Sequence, residues 1–177
     1  FYGLLFGVVS KADSLFAEVD SCYNQFRKRA SLSSSSLSIV SELKSGSAWY
    51  VPGGCSTIGR LFNDACGRYA FAEDKHSGSI PLAFETVFDK AGDADVWTIK
   101  YNRDRDMTYS DLKADYIGYT GFKAFKTRNI YGCNTAKVPF YEETPFRPDY
   151  LLSDLIQILH PEIGDLGGLR YFCKLNE

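Results

Sequence analysis

The chain has 177 residues, of which 45 % are apolar, 24 % charged and 15 % aromatic, and its 20 Lys and Arg against 22 Asp and Glu leave a net charge of −2. This length holds one domain of ordinary size around one hydrophobic core, and the composition is that of a globular chain, neither disordered nor fibrous. With no sustained basic run, nucleic acid is not an expected partner, and no stretch approaches the roughly 18 apolar residues that cross a bilayer.

In chain order, Leu5, Val8, Val9, Leu15, Phe16, Val19, Tyr23 and Phe26 recur with a helical period, and Lys11, Asp13, Glu18, Arg27 and Lys28 take the other face. The spacing predicts one long helix over 2–29, with a break near Gly7, closed by the cations Arg27-Lys28-Arg29 and a polar loop from Ser31 to Ser36. A strand is predicted over 37–43 and a short apolar segment at Ala48-Trp49-Tyr50-Val51. Pro52-Gly53-Gly54 then breaks the chain, and Ser56 or Thr57 caps a helix running to about Ala65. Further helices are predicted at 83–91, 108–115 and 120–127, strands at 94–101 and 129–133, and a last helix from Pro148 that buries Leu151, Leu152, Leu155, Ile156 and Leu159 before Pro161 stops it. Strands separated by helices of this length imply an α/β fold, a three-layer sandwich with a mainly parallel sheet.

Chemistry-bearing residues are sparse. Cys22, Cys55, Cys66, Cys133 and Cys173 are odd in number and contain no CxxC pair, so free thiols are expected, with no metal site and no resident cofactor. Gly53-Gly54-Cys55-Ser56-Thr57 reads as a tight turn with a capped helix or as an anion-holding turn that lacks the lysine of a phosphate loop. A hydrolase-like enzyme could use Ser56 or Cys55 at this strand-to-helix turn, but the two available histidines, His76 and His160, have no predicted place beside it. His160, at the end of the last helix, is expected to cap or to be solvated. His76 lies in the polar loop Asp74-Lys75-His76-Ser77-Gly78-Ser79, and Glu142-Glu143 reads as a solvated pair.

The order of motifs is more specific than any one of them. A long helix, a strand, WYVPGG, a helix ending NDACG, then SGSIPLAFETVFDKAGDADVW and ETPFRPDYLLSDLIQILHPE together resemble the C-terminal lobe of the substrate-binding proteins of ABC importers for iron–siderophores, haem or cobalamin, of the type found in Bacteroides-like bacteria. The resemblance covers essentially the whole chain. It implies that residues 1–30 form the helix joining two lobes and 31–177 the C-terminal α/β lobe, with the ligand held between this lobe and another. Because the chain starts at Phe1 without an export signal, a preceding segment is expected to carry the other lobe and a membrane anchor on the periplasmic face. Cys66 departs from the family, which commonly has glycine there.

Ligands of open α/β sheets bind outside the carboxyl ends of the strands, where loops 44–50, 74–80 and 100–103 are expected to gather. The resemblance therefore implies a ligand wall of Trp49, Tyr50, His76, Tyr101, Tyr141 and Phe146, with Lys100 and Arg147 available to an anionic ligand; for Trp49 and Tyr50, packing in the core is the equal alternative. It also implies that Glu85, in the first turn of its helix, is exposed and pairs with arginines of the inner-membrane permease.

Overall fold

A computed structural model describes residues 1–164 and 166–177. Helix α1 (Tyr2–Leu5) is separated from α2 (Val9–Ser31) by Gly7, whose φ of +66° suits glycine, and α2 continues to the polar loop. The break anticipated near Gly7 is therefore present. After it come β1 (Ser38–Ser41), β2 (Lys44–Ser45), β3 (Ala48–Pro52), α3 (Thr57–Asp64), β4 (Arg68–Tyr69), β5 (Ser79–Leu82) and α4 (Phe84–Ala91). The second half runs β6 (Val96–Tyr101), α5 (Tyr109–Asp115), a 3-10 turn (Ile117–Gly121), α6 (Lys123–Lys126), β7 (Ile130–Asn134), α7 (Phe140–Glu143), α8 (Pro148–Leu159) and β8 (Cys173–Lys174).

The main sheet has the order β4-β1-β6-β7-β8, parallel except for β8 at one edge. Val96, Trp97, Thr98 and Ile99 of β6 are all buried, as a central parallel strand covered on both faces requires. The chain moves from β1 through α3 to β4 and back through α4 to β6. With right-handed crossovers these two helices fall on opposite faces. Helix α2 packs along α8, which also meets α3.

Two features go beyond or differ from the sequence reading. The short apolar segment at 48–51 belongs to a second sheet that the reading did not foresee: β2, β3 and β5 form a separate antiparallel sheet, with Trp49 opposite Leu82 and Tyr50 opposite Pro81. The first strand ends at Ser41 because Glu42 takes a left-handed φ of +67° and turns the chain.

Helix α3 stops in a motif that accounts for the departure at Cys66. The Cys66 N–H donates to the Asn63 carbonyl at 2.9 Å, and the Gly67 N–H donates to the Phe62 carbonyl at 2.9 Å. Cys66 takes a φ of +55° between them, the left-handed position that glycine fills most cheaply. All five cysteines stand as free thiols, and burial pushes the Cys133 thiol up to about 12, with Lys100 partly opposing it.

Candidate functional site

Because β1, β6 and β7 run parallel, the loops that follow them leave one edge of the sheet. An open groove of about 380 Å³ lies there, lined by Lys44 and Gly46 after β1, Arg103 after β6, and Asp115, Tyr116 and Tyr119. The Lys44 ammonium is held by the Gly46 carbonyl and lies 5.3 Å from the centre of the Tyr116 ring. Its backbone N–H donates to the Tyr119 hydroxyl at 3.0 Å, and Arg103 pairs with Asp115 at 2.7 Å. A larger opening of about 590 Å³ sits between α2 and α3, lined by Arg27, Lys28, Asp64 and Cys66. It lies at the carboxyl ends of those two helices, which are the amino edge of the sheet, away from the strand ends where open α/β sheets take ligands.

The residues expected to form the ligand wall separate into two groups. Tyr50, His76, Tyr141 and Phe146 are exposed, and Phe146 meets Tyr2 edge-on at 5.8 Å. Trp49 and Tyr101 are corrections, because both are core residues. Trp49 is fully buried against Trp97, Tyr119 and Phe122, and its indole N–H donates to the Ser41 carbonyl at 2.9 Å. Tyr101 is 9 % exposed, and its hydroxyl accepts the Met107 N–H at 3.0 Å.

The two cations are also corrected, since neither is free for an anionic ligand. Lys100 is paired with the Glu42 carboxylate and lies 5.5 Å from the centre of the Phe140 ring. Arg147 holds the buried Asp149 through two hydrogen bonds, at 3.0 and 2.7 Å, reaches Glu18 of α2 at 3.3 Å and stacks 3.8 Å over the Tyr150 ring. That pairing pushes the Arg147 guanidinium above its ordinary range. Glu143 is equally engaged: Arg170 holds it by two bonds of 2.7 Å and keeps its carboxyl below the usual value, while Glu142 stays exposed.

Sequence reasoning missed Lys44, Arg103, Tyr116 and the strained Glu42. No periodicity marks them, although Lys44 and Arg103 fall within or beside the loops expected at the strand ends.

The glycine-rich turn is a packing device. A Cβ at Gly53 would stand 2.4 Å from the His76 carbonyl oxygen, and one at Gly54 would stand 2.1 Å from that of Ala72, so loop 72–78 occupies the space an anion would need. The Ser56 hydroxyl caps α3, accepting the Gly59 N–H at 3.0 Å and donating to the Gly53 carbonyl at 2.6 Å.

His160 is neither solvated nor exposed: it is fully buried, with Nε2 2.7 Å from the Ala65 carbonyl and Nδ1 3.0 Å from the Ser33 hydroxyl. Glu85 is exposed in the first turn of α4. Among the described residues, no cluster of three His, Cys, Asp or Glu is placed to hold a metal ion, and no helix is long and apolar enough to cross a membrane.

Comparison with known proteins agrees with this architecture. Residues 2–136 match the family described as periplasmic binding protein. An uncharacterized lipoprotein of Methanocaldococcus jannaschii is 31 % identical over 128 residues, which are 72 % of this chain and 30 % of that protein. A periplasmic haem binding protein from Pseudomonas aeruginosa superposes with a TM-score of 0.73 at 14 % identity, covering 99 % of this chain and 62 % of its own. An ABC-type Fe3+-hydroxamate transport protein from Saccharomonospora viridis does so with a TM-score of 0.68 at 16 % identity, covering 89 % and 52 %. The chain thus spans under a third of that lipoprotein, and its likeness to the two solved structures is one of fold. With the family match covering most of its length, the chain belongs to the periplasmic binding protein family.

Proposed function

We propose that this chain is the C-terminal lobe and joining helix of the substrate-binding component of an ABC importer. It captures an iron–siderophore, haem or cobalamin-type ligand between two lobes and delivers it to the membrane permease. The observation that carries the reading is the family match together with the open, one-sided groove at the carboxyl edge of the sheet. Haem and Fe3+-hydroxamate are named for the two similar structures, and cobalamin enters from the family at large. The lipoprotein relative supports a periplasmic protein held at the membrane by a lipid anchor.

Binding without turnover is the expected behaviour. Ser56, one of the two nucleophiles of the enzyme reading beside Cys55, is committed to its helix cap. Calorimetric titration with ferric haem, a ferric trihydroxamate and cobalamin tests the reading. One of them binds, weakly because this lobe supplies one wall of the cleft, and is recovered unchanged. If none binds, or if the bound compound is chemically altered, the reading fails.

Glu85 is the proposed contact to the permease, a carboxylate suited to the planar fork of an arginine. In the protein carrying both lobes, Glu85→Arg leaves ligand affinity unchanged and sharply lowers uptake. Loss of ligand binding with docking intact would remove Glu85 from that role.

A further inference from the structure

The end of α8 and the loop after α2 meet at a buried histidine. His160 is fully buried, and its Nε2–H donates to the Ala65 carbonyl at 2.7 Å, an atom that can only accept. Its other nitrogen, Nδ1, lies 3.0 Å from the Ser33 hydroxyl and 3.6 Å from the carboxylate of Glu162, in the 3-10 turn Pro161–Ile163. The Ser33 hydroxyl is bonded to that carboxylate, as is the Ser35 hydroxyl, and the Ser35 N–H donates to the Ser33 oxygen at 3.1 Å. The set is not a hydrolytic triad, in which serine and carboxylate meet opposite ring nitrogens; here both meet Nδ1.

A hydroxyl has one proton, and a neutral imidazole would compete for the one on Ser33 with the Glu162 carboxylate and with the Ser35 carbonyl at 3.2 Å. The ionised carboxylate is the strongest of these acceptors, and hydrogen bonds from Ser33 and Ser35 hold its carboxyl down at about 2. With the Ser33 proton on Glu162, Nδ1 faces a lone pair of the Ser33 oxygen. The 3.0 Å contact is then a hydrogen bond only if Nδ1 carries a proton of its own. Ser33 donates once and accepts twice in this state, which satisfies it completely. A neutral imidazole would draw the Ser33 proton to Nδ1 and leave two oxygens, those of Ser33 and Glu162, in contact without a proton between them.

The other charged groups nearby are engaged or turned elsewhere. Asp64 of α3 accepts from the Tyr23 hydroxyl at 2.7 Å and pairs with Arg27 at 3.8 Å, while Lys28 and Cys66 line the opening between α2 and α3. Arg29 of α2 reaches the Ile163 carbonyl at 3.5 Å, and Asp154 of α8 accepts the N–H groups of Arg170, Tyr171 and Phe172. Glu162 is left to balance the charge of the imidazole.

We infer that His160 is a doubly protonated, pH-sensitive latch that ties the loop after α2 to the end of α8 through Ser33 and Glu162. When pH rises, Nδ1 gives its proton to water and becomes an acceptor, and the Ser33 hydroxyl turns its proton from Glu162 to Nδ1. Glu162 loses a donor, and the loop loses its charged tie. The loop connects α2 to β1, so the latch sets how firmly the long helix is held to the sheet.

Nitrogen-15 spectra of the two histidines, told apart with His76→Ala, test this. At pH 7 both nitrogens of His160 are expected to be protonated in the unaltered chain. Glu162 is exposed, so Glu162→Gln folds, and its Nδ1 is expected to be bare at the same pH. The folded chain keeps a proton that an unfolded histidine gives up near about 6.5. Stability therefore falls as pH rises past that value, the folding constant dropping by up to about tenfold per pH unit until folded His160 has also lost its proton. Glu162→Gln is expected to lose this dependence, and protection of the Ser35 amide from hydrogen exchange is expected to fall in the unaltered chain as His160 loses its proton. A His160 protonated on Nε2 alone at pH 7 would overturn the inference, as would equal protonation in Glu162→Gln and the unaltered chain. Ser35 protection that does not follow the titration of His160 would overturn the latch as well.

Discussion

Trp49 and Tyr50 are consecutive residues of β3 with opposite fates: the Trp49 indole is fully buried against Trp97, whereas Tyr50 is 48 % exposed. The alternation of a strand decides this, since successive side chains leave opposite faces. Trp49→Ala is expected to cost about 3–5 kcal/mol of stability, the range for emptying a large aromatic site. Tyr50→Ala is expected to stay within about 0.5 kcal/mol, as exposed substitutions do. Denaturant unfolding of both variants checks it, and equal losses would contradict the burial pattern. Because Trp97 is buried too, tryptophan fluorescence reports folding here rather than contact with a ligand.

Arg147 is structural by its pairing. Asp149 is 1 % exposed, so Arg147→Ala leaves a buried carboxylate without its partner and is expected to cost about 3 kcal/mol. Removing both groups, in Arg147→Ala with Asp149→Ala, is expected to cost clearly less than the two single losses added together. Strict additivity in unfolding experiments would show that the pair is not coupled.

Cys66 carries backbone strain that glycine would relieve. Its φ is +55° at the end of α3, and Cys66→Gly is expected to stabilise the chain by about 0.5–1 kcal/mol, the left-handed strain relieved less the extra freedom of an unfolded glycine. A lower melting temperature for the variant would refute this.

Asp95 gives stability a defined acid limit. Burial alone would raise its carboxyl, but hydrogen bonds from Lys123 and from the Ser38 N–H and hydroxyl prevail and hold it at about 2. The folded value lies below the unfolded one. Its contribution is therefore complete above the ordinary carboxylate range and disappears as pH falls from about 4 toward about 2. The shift corresponds to about 2 kcal/mol. Unfolding of Asp95→Asn against the unaltered chain is expected to show that difference at pH 6 and almost none near pH 2. A difference independent of pH would assign the cost to something other than the charge.

Taken by itself, the sequence determined the order and kind of the main elements. Their signals are local: the helical period over 2–29, the break at Gly7, the cap at Ser56, and Pro148 opening the last helix all act within a few residues of chain. Motif order also carried the family. Only the tertiary structure decided which side chains are free to meet a ligand. Glu42 reaches Lys100 across 58 positions, His160 reaches Ala65 across 95, and Trp49 enters the core because β3 pairs with β5 in a second sheet. Such partners are chosen by where distant segments pack, and the charge or ring of one residue carries no mark of the group that will neutralise or cover it. His76 lies between these cases. Its carboxylate is two residues away and so within local reach, yet the packing on Gly53 and Gly54 that holds its loop is set by the fold.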